Sequence, residues 1–247
     1  TGELIAFVDA DHELDREWTR AALPVFDDPC TAAAGAPYAS PADANRVQRA
    51  YGHLRTMPDR PQVTQWLGSG NLVVRRKAFE ALRGFDTTLE ACEDVDFCNR
   101  LAAAGYRLLA DPALRSVHRG DPSTLRAVFR GELWRGRNNM RVTLRGPLTA
   151  RALVSLLIPM TGLMCLAVLA LSPLIGWQAG VLAAGAFGAL TLLRTLRMSA
   201  AHPPTSIIDI LDNLAVALAY DAARALALVF RATHRTRHDV MKERALV

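Results

Sequence analysis

The chain has 247 residues and a formal net charge of +5; 51% of its residues are hydrophobic and only 6% aromatic. A mean hydropathy slightly above zero argues against an ordinary soluble protein and suits one that is part soluble and part membrane-bound. Cys30, Cys92, Cys98 and Cys165 form no CxxC pair and have no histidine-rich surroundings, which argues against a zinc or disulfide framework and for a reducing compartment.

Residues 1–121 carry mixed charge, turns and short apolar runs, the texture of an α/β layer domain. Leu4 to Val8 is an apolar run of strand length stopping at Asp9, which predicts a strand buried on both faces. The chain opens at Thr1 as if inside a fold, with no leader or cap, so a fragment lacking an N-terminal section is expected. A helix is predicted over Glu13 to Leu23, ended by Pro24, and then an unassigned mixture to Pro61. Asn71 to Arg75 reads as a strand and Arg76 to Leu82 as a short helix closed by Gly84. Glu93 to Ala104 is the clearest helix, with Gly105 at its end and Asp96 and Arg100 spaced for an ordinary surface pair. Two short strands, Tyr106 to Ala110 and Leu114 to Val117, follow around Asp111-Pro112.

Residues 122–151 are predicted to form a basic amphipathic helix, centred on Ser123 to Leu144. Arginines 126, 130, 135, 137, 141, 145 and 151 face only one acid there, Glu132. Such a stripe suits nucleic acid, but the uncharged stretch after it favours a juxtamembrane segment on anionic lipid and no nucleic-acid role. Residues 152–193 contain no Asp, Glu, Lys or Arg, enough for two spans of ~17–21 residues with a turn from Ser172-Pro173 to Trp177. Residues 194–247 begin with Arg194 and Arg197. Within them 207–230 is apolar but carries Asp209, Asp212, Asp221 and Arg224. Burying such charges mid-bilayer costs ~2.5–3.5 kcal/mol each, so a helix lying on the membrane is expected, followed by a basic tail from Arg231 to Arg244.

Two carboxylates one residue apart at a strand end, Asp9 and Asp11, face the carboxyl edge of a sheet, where open α/β folds bind ligands. Paired hard oxygens suit Mg2+ or Mn2+ bridging to a diphosphate; an acidic turn capping the next helix accounts for the pair equally well. Glu93 and Asp94 open a helix, where the dipole favours the ionised form and a carboxylate can take a proton from a hydroxyl. An N-terminal capping cluster is the plainer alternative. His118 is either structural or a ligand, and Trp66 either core packing or a sugar contact.

The ordered motifs Phe7 to Asp11, Gly68-Ser69-Gly70-Asn71 running on to Phe79, Gly84-Phe85-Asp86, Glu93 to Leu101, Ala104 to Arg107 and His118 together resemble family 2 glycosyltransferases. The resemblance runs from about residue 3 to 120 and implies a GT-A-like, partial Rossmann-type catalytic domain; the tail is similar to that of bacterial membrane-bound members. It implies that Asp9, Asp11 and His118 hold the metal and that Asp94 is the general base. It further implies that Gly68, Ser69, Gly70 and Asn71 line the donor and acceptor pockets and that Glu93 and Trp66 contact acceptor sugar. The partners implied are a nucleotide-sugar donor, a lipid-linked or glycan acceptor and membrane lipid, at a bacterial inner membrane crossed more than once with the catalytic face cytoplasmic.

Two departures from the family pattern matter. Its first nucleotide-binding half has no counterpart here. Arg130-Gly131-Glu132-Leu133-Trp134-Arg135-Gly136-Arg137 does not fit the Gln-x-x-Arg-Trp motif of processive members. An inverting, metal-dependent and non-processive transferase is therefore expected, with a processive polysaccharide synthase or a non-catalytic membrane scaffold as alternatives. A phosphotransferase using Asp9 as nucleophile and Asp11 as acid/base would want a Thr or Val just after the second Asp and a lysine downstream, which His12-Glu13 and the Glu93-Asp94 helix do not supply.

Overall fold

A computed structural model of the chain describes residues 2–230; the predicted basic tail from Arg231 lies outside them. Seven strands, nine α-helices and one short 3-10 helix (Pro112–Leu114) are formed by the described residues. In the first half, β1 (Leu4–Val8), β2 (His12–Leu14), α1 (Trp18–Val25), β3 (Thr31–Gly35), α2 (Arg46–Gly52), β4 (Gln62–Thr64) and β5 (Asn71–Arg75) alternate. They continue into α3 (Arg76–Ala81), α4 (Glu93–Ala103), β6 (Arg107–Ala110) and β7 (Ser116–His118).

Five strands make a mixed sheet in the order β1-β5-β3-β6-β4, with β3 and β6 parallel and the other pairs antiparallel. The period-2 alternation of β5 splits the core between two faces. Leu72 and Val74 pack with Phe97, Leu101 and Leu108 under α4, while Val73 joins Trp18, Ala22, Phe26 and Leu114 under α1. Phe7, Phe79, Phe85 and Phe97 interlock on the α4 face with ring centroids 5.0–5.5 Å apart. The mixed α/β sheet agrees with the GT-A-like expectation.

Three local expectations are corrected. β1 is not buried on both faces: it sits at the sheet edge, paired to β5 alone among the described residues, and Val8 is exposed. The helix predicted over Glu13 to Leu23 is a short strand, β2, and then α1, which carries Pro24 in its last turn. A proline there forfeits one hydrogen bond of a turn that is ending anyway. The long amphipathic helix divides at Gly136–Asn138 into α5 (Leu125–Arg135) and α6 (Asn139–Arg145). Arg126, Arg130, Arg141 and Arg145 are exposed as expected; Arg135 turns inward to Glu132 and Arg137 pairs with Glu90.

α7 (Ala150–Ile175) and α8 (Trp177–Ala201) pack against each other and are long and apolar enough to cross a membrane. Only 11% and 28% of their most apolar windows are buried, so neither is the core helix of a soluble domain. The turn between them falls at Gly176, whose φ of 115° favours glycine; Pro173 stays within α7, as membrane helices tolerate. α9 (Ile207–Leu226) is amphipathic. It packs against α2, α5, α7 and α8 while Ile207, Leu211, Leu214 and Leu218 remain exposed. Its charges are all engaged. Asp209 caps the helix start, Asp212 pairs with Arg46, Asp221 with Arg194, and Arg224 with Glu132.

Candidate active site

The turn after β1 delivers the acidic pair. The Asp9 amide donates to the Gly70 carbonyl (3.2 Å) and the His12 amide to the Asp9 carbonyl (3.0 Å), which closes the turn and starts β2. β2 then pairs antiparallel with β7 in a register that sets His12 opposite His118. Directly opposed residues on an antiparallel pair bring their side chains together, and the two imidazoles lie 4.7 Å apart. The Arg119 amide donates to the Asp11 carbonyl (2.8 Å), and Asp11 Oδ2 lies 3.3 Å from His118 Nε2. Ligating atoms of Asp11, His12 and His118 all fall within 4.8 Å of one another.

The set fits a hard-to-borderline divalent cation. His118 is buried, and its Nδ1 is 2.8 Å from Asp121 Oδ1. That contact leaves Nε2 on the Asp11 side, the carboxylate–histidine arrangement that supports metal-binding imidazoles. Burial works to raise the Asp121 carboxyl, but hydrogen bonds from His118 and Arg55 outweigh it and hold the pKa below the ordinary value. Burial, reinforced by the neighbouring His118, lowers the pKa of His12, which favours the neutral imidazole that can ligate. His12 Nδ1 is 3.0 Å from Ser116 Oγ.

Asp94 lies at the start of α4, behind Cys92, which holds a left-handed backbone (φ 65°). Its carboxylate accepts from the Val95 amide (2.7 Å), and the Ser69 amide and the Trp66 indole act on it from nearby to favour the ionised form. Burial, and then the neighbouring Glu93, push its pKa up to about 6 against these contacts. Ser69 Oγ approaches Glu93 Oε1 (3.4 Å). A β-carbon on Gly68 would meet Trp66 Cζ2 at 3.7 Å and Asp94 Oδ2 at 3.9 Å; one on Gly70 would meet Asp9 Oδ2 at 2.7 Å. The tripeptide Gly68–Gly70 thus has the base candidate on one side and the acidic pair on the other. Trp66 is exposed, so it is not a core residue.

Asn71 stands apart from the other residues of its motif. Its buried amide donates to the Leu114 carbonyl (2.7 Å) and the Ala36 carbonyl (3.3 Å) and accepts from the Trp18 indole (2.9 Å). These contacts fix the strand start from inside, so its role in the site is to hold the loop. Sequence reasoning missed His12, Asp121 and Arg55. The spacing His118-x-x-Asp121 was a usable signal for the second; nothing local marks Arg55.

These elements define a class. The model of "Glycosyl transferase family group 2" matches residues 4–195, so the chain belongs to that family. The match runs on through α7 and most of α8, which makes the apolar hairpin part of the family pattern. Among individual proteins, a pre-mycofactocin glycosyltransferase of Mycobacterium tuberculosis is 32% identical over 127 residues, covering 48% of this chain and 27% of the relative. The rhamnosyltransferase WbbL of Escherichia coli K12 is 39% identical over 57 residues, covering 23% and 22%. The matched region therefore spans about a quarter of the length of these curated relatives. The solved mannosyltransferase PcManGT from Pyrobaculum calidifontis, in complex with GDP-Man and Mn2+, aligns over 92% of this chain and 63% of its own. Its TM-score is 0.50 and its identity 18%, a likeness of fold.

Proposed function

We propose that the protein is an inverting, metal-dependent glycosyltransferase that moves one sugar from a nucleoside-diphosphate donor to a membrane-proximal acceptor, lipid-linked or polysaccharide. The observation that carries the reading is Asp94, a carboxylate with its pKa raised to about 6, one tripeptide away from the acidic pair. A base tuned close to neutrality is ionised at pH 7 yet strong enough to accept a hydroxyl proton.

In this mechanism Asp94 takes the proton of the acceptor hydroxyl as its oxygen attacks the anomeric carbon. The bond from that carbon to the diphosphate breaks on the opposite face, so configuration inverts and the pair of electrons leaves on the diphosphate. Asp9, Asp11 and His118, with His12, would hold Mn2+ or Mg2+, which when bound supplies Lewis-acid stabilisation of the leaving charge. The small residues Gly68, Ser69 and Gly70 let the substrates approach closely, and exposed Trp66 and Glu93 supply a surface for acceptor sugar. The Mn2+ and nucleotide sugar held by the solved mannosyltransferase accord with this ligand set.

α7 and α8 would form a membrane hairpin whose two ends return to the catalytic side. Arg151, in the first turn of α7, precedes the apolar part of the hairpin, and Arg194 and Arg197 follow it, which by the positive-inside rule puts that side in the cytoplasm of a bacterial inner membrane. The test is nucleoside-diphosphate binding by the full-length protein with and without Mn2+. Binding that requires Mn2+ and is lost in Asp11→Ala and His118→Ala is expected; metal-dependent binding that survives both substitutions overturns the site.

A further inference from the structure

Arg55 lies outside every motif of the family resemblance, in the connection between α2 and β4. Its guanidinium nevertheless reaches the candidate metal site. Nη1 donates to Asp121 Oδ1 (2.9 Å) and Nη2 to Asp121 Oδ2 (2.5 Å), a bidentate pair in which the Asp121 side chain is wholly buried. Two parallel charge-assisted bonds fix the plane of a carboxylate as one bond cannot. The fixed Asp121 Oδ1 is the atom that meets His118 Nδ1 at 2.8 Å. The guanidinium also lies 4.2 Å over the Tyr38 ring, and that ring packs at 4.8 Å and 4.7 Å against the imidazoles of His12 and His118. Arg55 therefore supports both imidazoles by separate routes.

The backbone of Arg55 is tied to the other half of the molecule. His202, just beyond the end of α8, places Nε2 2.9 Å from the Arg55 carbonyl oxygen. A carbonyl can only accept, so Nε2 carries the proton. The His202 ring stacks on His53 at 4.7 Å and 15°, and His53 Nδ1 meets Asn213 Oδ1 of α9 at 2.8 Å. The segment carrying Arg55 is thus pinned to the C-terminal end of α8 and to the body of α9.

We propose that Arg55 is a positioning residue: acting through Asp121 it sets the His118 imidazole for metal binding, and His202 at the end of the α7–α8 hairpin holds it in place. The metal site is then built partly by the membrane half of the chain, and metal affinity depends on how that half is seated. This rests on the metal reading given under Proposed function. Arg55 borders a cavity of about 350 Å3 lined also by Tyr38, His53 and His202, so a smaller side chain fits without overpacking.

The experiment titrates Mn2+ alone into the full-length protein in detergent, following free Mn2+ by electron paramagnetic resonance, with thermal unfolding measured in parallel. Arg55→Lys keeps the charge but cannot make the fork. It is expected to weaken Mn2+ binding about tenfold, within the range that lost supports of ligating residues cost. Asp121→Asn should weaken it by at least as much, and the double variant should be no worse than Asp121→Asn alone, because both act along one path. His202→Ala should weaken binding several-fold and His202→Gln, which can still donate, should restore it. Unchanged affinity in Arg55→Lys while His118→Ala loses binding overturns the positioning role. Unchanged affinity in His118→Ala overturns the metal reading beneath it. Additive losses in the double variant, or losses that only follow a lowered melting temperature, assign Arg55 to the fold alone, and unchanged affinity in His202→Ala removes the helix link.

Discussion

The carboxylate of Asp9 closes over the α-carbon of Gly70 so tightly that a β-carbon there would stand 2.7 Å from Oδ2 and 3.0 Å from His12 Nε2. The glycine is required by its neighbours, since its φ is not in the left-handed region. Gly120 is more constrained, with Asp11 Oδ2 only 1.9 Å from the same construction. Gly70→Ala displaces side-chain ends and spares the sheet. Its Mn2+ affinity is therefore expected to fall about tenfold, while its melting temperature stays within ~4 °C of wild type. Gly120→Ala should lose more affinity. Calorimetric Mn2+ titration beside thermal scans checks both, and wild-type affinity in Gly120→Ala contradicts the placement of Asp11.

The pH dependence of turnover follows from Asp94. Its pKa of about 6 means that the fraction of ionised base rises through pH 5–7 and levels off above. The acidic limb of kcat/KM should rise by a factor of ten per pH unit well below 6 and flatten near neutrality. A limb that breaks near pH 4 would mean that the base is an unperturbed carboxylate.

Asp94 also has a cost in stability. Its folded pKa stands above the ordinary aspartate value of 3.8, so the fold prefers the protonated form. The contribution of Asp94 to stability is full below pH 3.8 and is lost as pH rises through about 6. Asp94→Asn is therefore expected to be more stable than wild type at pH 8, by on the order of 3 kcal/mol, and to lose most of that advantage near pH 4. Denaturant melts at the two pH values measure it; equal stability at pH 8 contradicts the desolvation argument.

Glu132 is the buried ionic joint between α5 and α9. It is 1% exposed, accepts from Tyr51 Oη (2.5 Å) and Arg135 (3.2 Å), and lies 2.9 Å from Arg224 Nε in ion-pair contact without hydrogen-bond alignment. Glu132→Ala strands two guanidinium groups beside an empty site, which should cost ~3–5 kcal/mol. Glu132→Leu would not relieve this, because the cations remain. A change below ~1 kcal/mol in Glu132→Ala would show that water already screens the cluster.

Legibility from sequence followed the range of the interactions. β5, α4 and the two long apolar helices carry their own periodicity or apolar length, so Asn71 to Arg75, Glu93 to Ala104 and two helices within 152–193 were readable, although the two long helices extend further, from Ala150 and to Ala201. β2 and β7 have three residues each, too few to show a period, and they exist because His12, Glu13 and Leu14 pair with residues over a hundred positions away. The same pairing makes His12 a candidate ligand, which its own neighbourhood does not reveal. Asp9, Asp11, Asp94 and His118 were singled out as candidates through their motifs. Arg55 was not, because its meaning resides in Asp121, sixty-six residues on. Asn71 was singled out by its motif, and its buried side chain bonds Trp18, Ala36 and Leu114, contacts that its local sequence does not show.

The central claim is that Asp94 removes the proton that begins transfer, and single-turnover transfer from a nucleotide sugar with Mn2+ tests it most directly. In the full-length protein, Asp94→Asn is expected to bind donor as wild type does and to transfer ~10²–10⁴-fold more slowly. Transfer at the wild-type rate in Asp94→Asn, with donor binding intact, would contradict it.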